Sequence, residues 1–326
     1  MRLAILGAGA WGSALAVTLS RAHQVTLWTR DWQRLDAIAA TRESPYLRGI
    51  RIPDAVAVQH DALTAVGESD LTIVATSTQG MGPTLEQVAG AGERLALLWA
   101  CKGFDPATGR LPHEVVAQSL RGRGSAGALS GPSFALEVAK GLPAALTVAS
   151  VDGDFAASTA AALNDPPLRI YSSTDLVGVE LGGALKNVMA IAAGISDGLG
   201  LGANARAALV TRGLAEMARL GVRMGGQPET FMGLTGLGDL VLTATGDLSR
   251  NRTVGLRLAQ NLPLEKILAD LGHVAEGVHS ARAARDRARE RGVDMPITQA
   301  VCAVLFEGRP AMDAVQQLLT RDPRRE

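Results

Sequence analysis

The chain changes its hydrophobic pattern once, near its middle. In the first half, short continuous apolar runs alternate with stretches in which apolar residues recur at helical spacing. Continuous apolar runs of this length are typical of parallel strands that are buried on both faces of a sheet. We therefore predict strands at residues 3–6, 25–28, 71–75, 95–100, 126–129 and 144–149.

The second half of the chain lacks such runs from about Asp175 onward. Apolar residues there recur at i, i+3 and i+4, which predicts amphipathic helices. The predicted helical stretches are 175–197, 204–223, 249–261, 275–291, 295–306 and 310–319. The two patterns together predict an α/β protein, with a mostly parallel sheet in a first domain, residues 1–178, and an all-helical second domain, residues 179–326.

Length and composition agree with two globular domains. A chain of 326 residues is longer than one hydrophobic core usually serves. Hydrophobic residues make up 47% and charged residues 20%, which is typical of globular rather than disordered chains. The formal net charge is zero, whereas a nucleic-acid or anionic-membrane binder usually shows a basic excess. We therefore expect no nucleic-acid partner.

The N-terminus, the apolar windows and the cysteines bear on location. The sequence M-R-L-A-I-L-G-A-G-A carries one charge and an apolar run that breaks at glycine, which is not typical of a signal peptide. No window of 18 apolar residues occurs, so we predict no membrane span. Cys101 and Cys302 give neither a disulfide framework nor a metal-ligand spacing. We therefore expect a cytoplasmic protein without a metal site.

The opening residues R-L-A-I-L-G-A-G-A-W-G combine a strand, a glycine-rich turn and the start of a helix. In this fingerprint Gly7 allows a tight turn, Gly9 lets the backbone approach a pyrophosphate, and Gly12 allows close helix–strand packing. The N-terminus of the following helix offers free amides and the positive end of its dipole to phosphate groups. The pattern therefore predicts a Rossmann-type domain that binds a dinucleotide.

The end of the second predicted strand bears on the choice between NAD(H) and NADP(H). An acidic residue there binds the ribose hydroxyls of NAD, whereas an arginine accommodates the 2′-phosphate of NADP. The sequence Thr29-Arg30-Asp31 offers both side chains. Arg30 lies nearer the strand end, and Asp31 is also a favourable N-cap for the next helix. We therefore expect NADP(H) to be preferred, with NAD(H) as the alternative cofactor.

Lysine is rare in this chain, which contains 28 arginines and four lysines. Unlike arginine, a lysine can lose its proton when burial or a neighbouring positive charge lowers its pKa. Lys186, in G-G-A-L-K-N-V-M-A, lies on a predicted helix face of small residues, where another group can approach closely. It is either a titrating amine at a catalytic site or a lysine whose stem is packed and whose ammonium reaches water.

Two further features lie in the first half of the chain. Lys102 directly follows an apolar strand, and ligands of open α/β sheets gather at the carboxyl ends of the strands. In S-G-P-S-F-A-L-E, Ser133 can start a helix whose free amides bind a ligand. The alternatives are a lysine that marks the surface end of a strand and an ordinary capped helix.

Two more features lie in the second half. Asp239, in T-G-L-G-D-L, is a carboxylate flanked by glycine that can anchor a hydroxyl or orient an ammonium. The triplet Ser249-Arg250-Asn251 begins a predicted helix and suits a phosphate group, because it combines free amides, a guanidinium and neutral donors. The alternative for the triplet is an N-cap with a surface arginine.

These stretches, in this order, closely resemble bacterial-type NAD(P)-dependent glycerol-3-phosphate dehydrogenases. The resemblance covers nearly the whole chain and rests on G-A-G-A-W-G, C-K-G, S-G-P-S-F-A, E-L-G-G-A-L-K-N, G-A-N-A-R-A-A-L-V-T-R-G, G-L-G-D-L-V-L-T, S-R-N-R, V-A-E-G and M-P-I-T. It implies a Rossmann domain and a helical C-terminal domain resembling that of 6-phosphogluconate dehydrogenase. It also implies a homodimer that reversibly oxidises sn-glycerol 3-phosphate to dihydroxyacetone phosphate. In the reverse direction, such an enzyme supplies glycerol 3-phosphate for phospholipid synthesis.

The resemblance assigns roles to individual residues. Lys186 takes the place of the catalytic proton acceptor, with Lys102 and Asp239 in the same catalytic set, and a nearby Lys102 would lower the pKa of Lys186. The implied substrate-binding residues are Lys102, Gly131, Ser133, Lys186, Asp239, Ser249, Arg250 and Asn251. Besides Gly7, Gly9 and Gly12, the implied cofactor-binding residues are Ala10, Trp11, Arg30, Lys102, Ala135, Arg250, Val274 and Glu276. Serine is common in the family at position 10, and threonine at position 133.

Two other functions fit parts of the pattern. A β-hydroxyacid dehydrogenase of the 6-phosphogluconate or 3-hydroxyisobutyrate type shares the two-domain plan and a helix lysine. The stretches S-R-N-R and G-L-G-D-L-V-L-T argue against it. A non-catalytic dinucleotide sensor would not need the titrating amines that Lys102 and Lys186 offer.

Overall fold

A computed structural model gives the fold and describes residues 1–91, 95–121, 123–272 and 275–321. The chain divides into two compact units, Met1–Glu180 and Leu181–Glu326. The boundary predicted from the sequence lies between residues 178 and 179. The first unit contains the sheet, and the described residues of the second unit form helices and connecting turns.

One mostly parallel sheet organises the first unit. Its strands in chain order are β1 (Arg2–Leu6), β2 (Gln24–Trp28), β3 (Ala57–Val58), β4 (Leu71–Val74), β5 (Ala96–Trp99), β6 (Ser125–Ser130), β7 (Ala144–Ala149) and β8 (Leu168–Ser173). Across the sheet they lie in the order β3-β2-β1-β4-β5-β6-β7-β8. Only the β6–β7 pair is antiparallel among the strands of the described residues. All six predicted strands and the mostly parallel sheet are thus confirmed.

Strands β3 and β8 are absent from the sequence prediction. β8 lies at one edge of the sheet, where the outward side chains of Arg169 and Tyr171 alternate with the buried Leu168 and Ile170. A search for continuous apolar runs therefore passes over it. β3 forms the other edge with two residues, which is too short to leave a pattern.

Helices cover both faces of the sheet. The first unit contains α1 (Ala10–Leu19), α2 (Trp32–Thr41), α3 (Ala62–Gly67), α4 (Thr78–Val88), α5 (Pro112–Leu120), α6 (Ala135–Ala139) and α7 (Gly153–Leu163). Neighbouring residues of the central strand β1 point into different core clusters, Leu3 and Ile5 into one and Leu6 into the other. Burial on both faces explains why the strands read as continuous apolar runs.

The second unit is built from helices. They are α8 (Leu176–Gly198), which begins before the unit boundary, α9 (Gly202–Arg223), α10 (Pro228–Met232), a π-helical turn (Leu234–Gly238), α11 (Asp239–Thr245), α12 (Arg250–Leu258), α13 (Leu264–Leu271), α14 (Glu276–Glu290), α15 (Pro296–Phe306) and α16 (Ala311–Leu319). Each of the six predicted helical stretches is present. The missed helices are short, and glycines interrupt the apolar periodicity around the π-helical turn.

Helix α8 is long and apolar enough to cross a membrane by length and composition, and no other helix in the described residues is. Of its apolar window, 94% is buried inside the protein. This burial identifies α8 as a core helix.

Glu216 of α9 completes the start of α15. Its buried carboxylate accepts hydrogen bonds from the amides of Ile297 (2.6 Å) and Thr298 (3.2 Å) and from the Thr298 hydroxyl (3.3 Å). Pro296, the first residue of α15, has no amide hydrogen to satisfy. A buried helix start needs acceptors for its free amides, and the side chain of the N-cap Met295 makes no capping hydrogen bond. Glu216 supplies this acceptor from α9.

Glu216 should make stability depend on pH. Burial raises the pKa of its carboxyl from 4.5 to about 7, although the hydrogen bonds from Ile297 and Thr298 oppose this shift. Between these values the folded protein therefore binds one proton more than the unfolded chain, so its free energy of unfolding should fall as pH rises, by about 3 kcal/mol in total. Glu216→Gln should remove this decline, which urea unfolding at about pH 5 and about pH 7.5 would measure.

The exposed Glu265, also in the helical unit, offers a matched control. Glu265→Gln should keep the pH slope of the unaltered protein. An unchanged slope in Glu216→Gln would show that Glu216 titrates alike in the folded and unfolded states.

Candidate active site

Lys186 lies in the middle of α8 with its amine held by two side chains of α11. Its side chain is 9% exposed and that of Asp239 is 1% exposed. The Nζ atom donates to Oδ1 of Asp239 and, at 3.0 Å, to Oγ1 of Thr243. A buried lysine requires such partners, because an unpaired ammonium in a low-dielectric interior is very unfavourable. The Lys186 amine is therefore held by protein side chains rather than by water alone, and its role as a titrating catalytic group stays a prediction.

The small residues around Lys186 admit the π-helical turn that leads to Asp239. A Cβ atom added to Gly182 would lie 2.5 Å from the carbonyl oxygen of Thr235 in that turn. Any larger residue at position 182 would push the turn away, and Asp239 begins α11 directly after it. Gly182, one helical turn before Lys186, thus lets the carboxylate approach the amine.

The start of α12 carries the predicted triplet. Ser249 is its N-cap, with Oγ accepting from the amide of Arg252 at 3.2 Å, which confirms the predicted helix start. The Arg250 side chain keeps solvent-accessible surface, yet the atoms packed around its guanidinium lower its pKa by desolvation. The carboxylate of Glu276 in the first turn of α14 opposes this shift. Arg250 and Glu276, both predicted to bind cofactor, are therefore neighbours.

Asn251 is held inside the helical unit. Its Nδ2 donates to Oδ1 of Asn187 at 2.9 Å, and its Oδ1 accepts from the amide of Gly277 at 3.0 Å. Asn187 directly follows Lys186. The side chain of Asn251 therefore joins α12 to α8 and α14, and its backbone amide remains the group suited to a ligand at the helix start.

Sequence reasoning missed Thr243 and Asn187. A sequence signal exists for each of them. Thr243 lies four residues after Asp239, one turn along a helix, and both contact Lys186. Asn187 adjoins Lys186 but points to another face of α8, where it meets Asn251.

In the first unit, three predicted substrate-binding residues come together. Lys102 follows β5, and Gly131 follows the parallel neighbour β6, so both lie at carboxyl ends of strands. The Nζ atom of Lys102 donates to the carbonyl oxygen of Gly131 at 2.7 Å, and the Ser133 hydroxyl donates to the same oxygen at 3.1 Å. The expectation that Ser133 starts a helix is wrong in detail, because α6 begins at Ala135 with Phe134 as N-cap. The Ser133 hydroxyl instead fixes the turn.

The glycine fingerprint joins β1 to α1 as the spacing predicts. Gly7 has a φ of 128°, which a side chain would disfavour. A Cβ atom on Gly12 would lie 1.8 Å from the Gly7 carbonyl oxygen, so this packing requires glycine. Gly9, the N-cap of α1, has open space where a side chain would stand. That space beside the amides of Ala10 and Trp11 fits the pyrophosphate of a dinucleotide.

At the end of β2, Arg30 and Asp31 have different surroundings. Asp31 is the N-cap of α2, accepting from the amide of Arg34 at 3.0 Å and pairing with its guanidinium at 2.8 Å. Arg30 is exposed, and its guanidinium lies near Gly80 in the first turn of α4. Within the described parts of the chain, no ion pair involves Arg30.

Ala135 and Val274 are the two remaining residues that were predicted to bind the cofactor. Ala135 begins α6 in the first unit. Val274 lies outside the described residues. Among those that are described, no group of three or more His, Cys, Asp or Glu residues is placed to hold a metal ion.

Comparison with known proteins identifies the family. Residues 2–156 match the profile of the N-terminus of NAD-dependent glycerol-3-phosphate dehydrogenase, and residues 175–316 match that of its C-terminus. Glycerol-3-phosphate dehydrogenase [NAD(P)+] of Thiobacillus denitrificans is 55% identical over 327 residues, covering 100% of both chains. The enzyme of the same name from Nitrosospira multiformis is 51% identical over 331 residues, covering 100% of this chain and 99% of the relative.

A solved structure agrees with the sequence comparisons. The crystal structure of glycerol-3-phosphate dehydrogenase from Coxiella burnetii superposes with a TM-score of 0.93 at 38% identity and covers 98% of this chain and 99% of its own. Both the fold class and the resemblance predicted from the sequence are confirmed. The chain belongs to the NAD-dependent glycerol-3-phosphate dehydrogenase family.

Proposed function

We propose that this protein catalyses reversible hydride transfer between sn-glycerol 3-phosphate and NAD(P)+, giving dihydroxyacetone phosphate and NAD(P)H. The observation that carries the proposal is the buried amine of Lys186, held by Asp239 and Thr243. It stands in a chain whose relatives bear the name of this activity over their full length. Oxidation of a secondary alcohol needs a group that takes the hydroxyl proton, and a lysine amine can do so.

Lys186 would handle the proton of the reacting hydroxyl. In its neutral form, Nζ accepts the proton of the C2 hydroxyl, and in the reverse direction the ammonium returns it to the developing alkoxide. The bound nicotinamide cofactor supplies the hydride chemistry. Asp239 and Thr243 restrict the orientation of the amine, which reduces the reorganisation that proton transfer requires.

Two further groups would hold the substrate. The exposed Arg250 guanidinium and the free amides at the start of α12 suit the phosphate group. Lys102, with Gly131 and Ser133 in the first unit, would hold a substrate oxygen with its ammonium.

The proposal includes a preference for NADP(H), which Arg30 supports. Arg30→Ala should lower kcat/KM for NADPH by about 10-fold or more and change kcat/KM for NADH little, since a guanidinium–phosphate contact contributes roughly 1.5–3 kcal/mol. Steady-state rates of the variant with each cofactor would measure the change. Asp31→Asn is the matched control: asparagine also caps helices, so the NADPH:NADH preference should stay. A selective loss of NADH turnover in Asp31→Asn would instead assign the ribose to Asp31.

The reaction itself can be tested with purified protein. Dihydroxyacetone phosphate should cause rapid loss of NADPH absorbance, with NADH run in parallel. 6-Phosphogluconate and 3-hydroxyisobutyrate, tested with the oxidised cofactors, cover the related hydroxyacid dehydrogenases. Folded protein that binds NADPH but turns over none of these substrates would contradict the proposal and favour a dinucleotide sensor.

The wider biological role is proposed on the family resemblance. We propose that the protein acts in the cytoplasm, as a homodimer, and supplies glycerol 3-phosphate for phospholipid synthesis. Sedimentation equilibrium would test whether the protein is a dimer. A monomer at the concentration of the activity assay would contradict the proposed homodimer.

A further inference from the structure

Helices α8 and α12 touch backbone to backbone. A Cβ atom on Gly194 of α8 would lie 2.1 Å from the carbonyl oxygen of Arg252, and one on Gly255 of α12 would lie 2.1 Å from that of Ile191. The glycines therefore permit an unusually close approach of the two helices. This contact places the start of α12, which carries Arg250, against the helix that carries Lys186.

Asp197, near the end of α8, stabilises the contact between α8 and α12 by binding Arg252 of α12. Its Oδ2 accepts from Nε of Arg252 at 2.9 Å and lies 2.8 Å from Nη2 of the same guanidinium. Both oxygens also accept from Nη1 of Arg206 at 3.1 Å. The side chains of Asp197 and Arg252 are 11% and 14% exposed, so these charges are weakly screened and their geometry is restrained.

A second fastening lies at the other end of the contact. Asn251 donates to Asn187, the residue after Lys186, and the amide of Arg252 donates to the Ser249 hydroxyl. Three of the four residues of S-R-N-R are thus held within the protein by their side chains, and Arg250 is the one with an exposed side chain. The contacts of its neighbours therefore set where the Arg250 guanidinium stands relative to the Lys186 amine.

We propose that Asp197 is a positioning residue for the reaction. By holding Arg252, Asp197 fixes the start of α12 on α8. It thereby sets the distance between the Arg250 guanidinium and the Lys186 amine, so that one substrate molecule can contact the first with its phosphate and the second with its C2 oxygen. Asp197 contacts neither end of the substrate itself. The inference rests on the proposed function, because it assumes that Arg250 binds the phosphate and that Lys186 transfers the proton.

The test is Asp197→Asn, which keeps the size of the side chain and removes its charge. Dihydroxyacetone phosphate must contact Arg250 and Lys186 at the same time, so a change in their distance should impair its reduction. Its kcat/KM should fall about 10- to 100-fold, as for a misplacement of about 1 Å. Proton transfer by Lys186 and phosphate binding by Arg250, each measured alone, should not change. The slow reduction of dihydroxyacetone, which lacks the phosphate, measures the first, and competitive inhibition by inorganic phosphate measures the second.

Asp247→Asn is the matched control. Asp247 also pairs with Arg252, at 3.1 Å, but its side chain is 98% exposed. An exposed pair of this kind restrains little, so this variant should keep the kinetics of the unaltered protein. If Asp197→Asn does not fold, Arg252→Lys serves instead, because it keeps the charge and one donor and should show a smaller loss of the same selective kind.

The outcomes separate the inference from the function on which it rests. Unchanged kcat/KM for dihydroxyacetone phosphate in Asp197→Asn would overturn the positioning role. Parallel losses for dihydroxyacetone, phosphate inhibition and dihydroxyacetone phosphate would also overturn it, since they indicate general damage to the helical unit. Failure of the unaltered protein to reduce dihydroxyacetone phosphate would instead reject the proposed function.

Discussion

Lys186→Arg should lower kcat at least about 100-fold while the protein stays folded, the usual scale for removing an acid–base group. The guanidinium keeps the positive charge opposite Asp239 but cannot release its proton, so it cannot accept one from the C2 hydroxyl. Initial rates of glycerol 3-phosphate oxidation at saturating NADP+ would measure the loss. Circular dichroism and NADPH binding would show that the fold and the cofactor site are retained.

The control for this substitution is Lys266→Arg. Lys266 is an exposed residue of α13 in the same helical unit, so the same exchange there should leave kcat unchanged. Should Lys186→Arg prove too large for its buried site, Lys186→Gln offers a shorter side chain that can still donate to Asp239. Near-normal kcat in a folded Lys186 variant would remove this residue from proton transfer.

Lys186 and Asp239 can each be singled out from the sequence, but the contact between them cannot be predicted from it. Each residue is conspicuous on its own, one as a rare lysine on a small-residue helix face and the other as a carboxylate beside glycines. Their contact joins residues far apart in the chain and depends on the turn that passes over Gly182. Helical periodicity cannot reveal such a turn, because glycines interrupt the apolar repeat.

The sheet was easier to predict than the contacts between helices. Strands buried on both faces leave continuous apolar runs, which is a local signal. Glu216, in contrast, is one acidic residue on a long amphipathic helix, and nothing near it in sequence indicates that it accepts from Ile297 and Thr298. The same holds for Asp197, whose two arginine partners could equally have been surface residues in so arginine-rich a chain.

Arg250→Ala should raise KM for dihydroxyacetone phosphate about 10- to 100-fold and change KM for NADPH much less. A charge-assisted contact with a phosphate contributes roughly 1.5–3 kcal/mol, and each 1.4 kcal/mol corresponds to about tenfold. The neighbouring Arg252 cannot take over this contact, because the buried carboxylate of Asp197 holds its guanidinium. Steady-state kinetics with each substrate varied in turn would separate the two constants.

Arg257→Ala is the matched control on the same helix. Arg257 lies in the last turn of α12 and pairs with Asp270 at 3.0 Å, away from the helix start at which we propose that the phosphate binds. Its removal should leave both Michaelis constants unchanged. An unchanged KM for dihydroxyacetone phosphate in Arg250→Ala would place the phosphate elsewhere. It would also remove the reason for fastening the start of α12 to α8, so Asp197→Asn should then be kinetically silent as well.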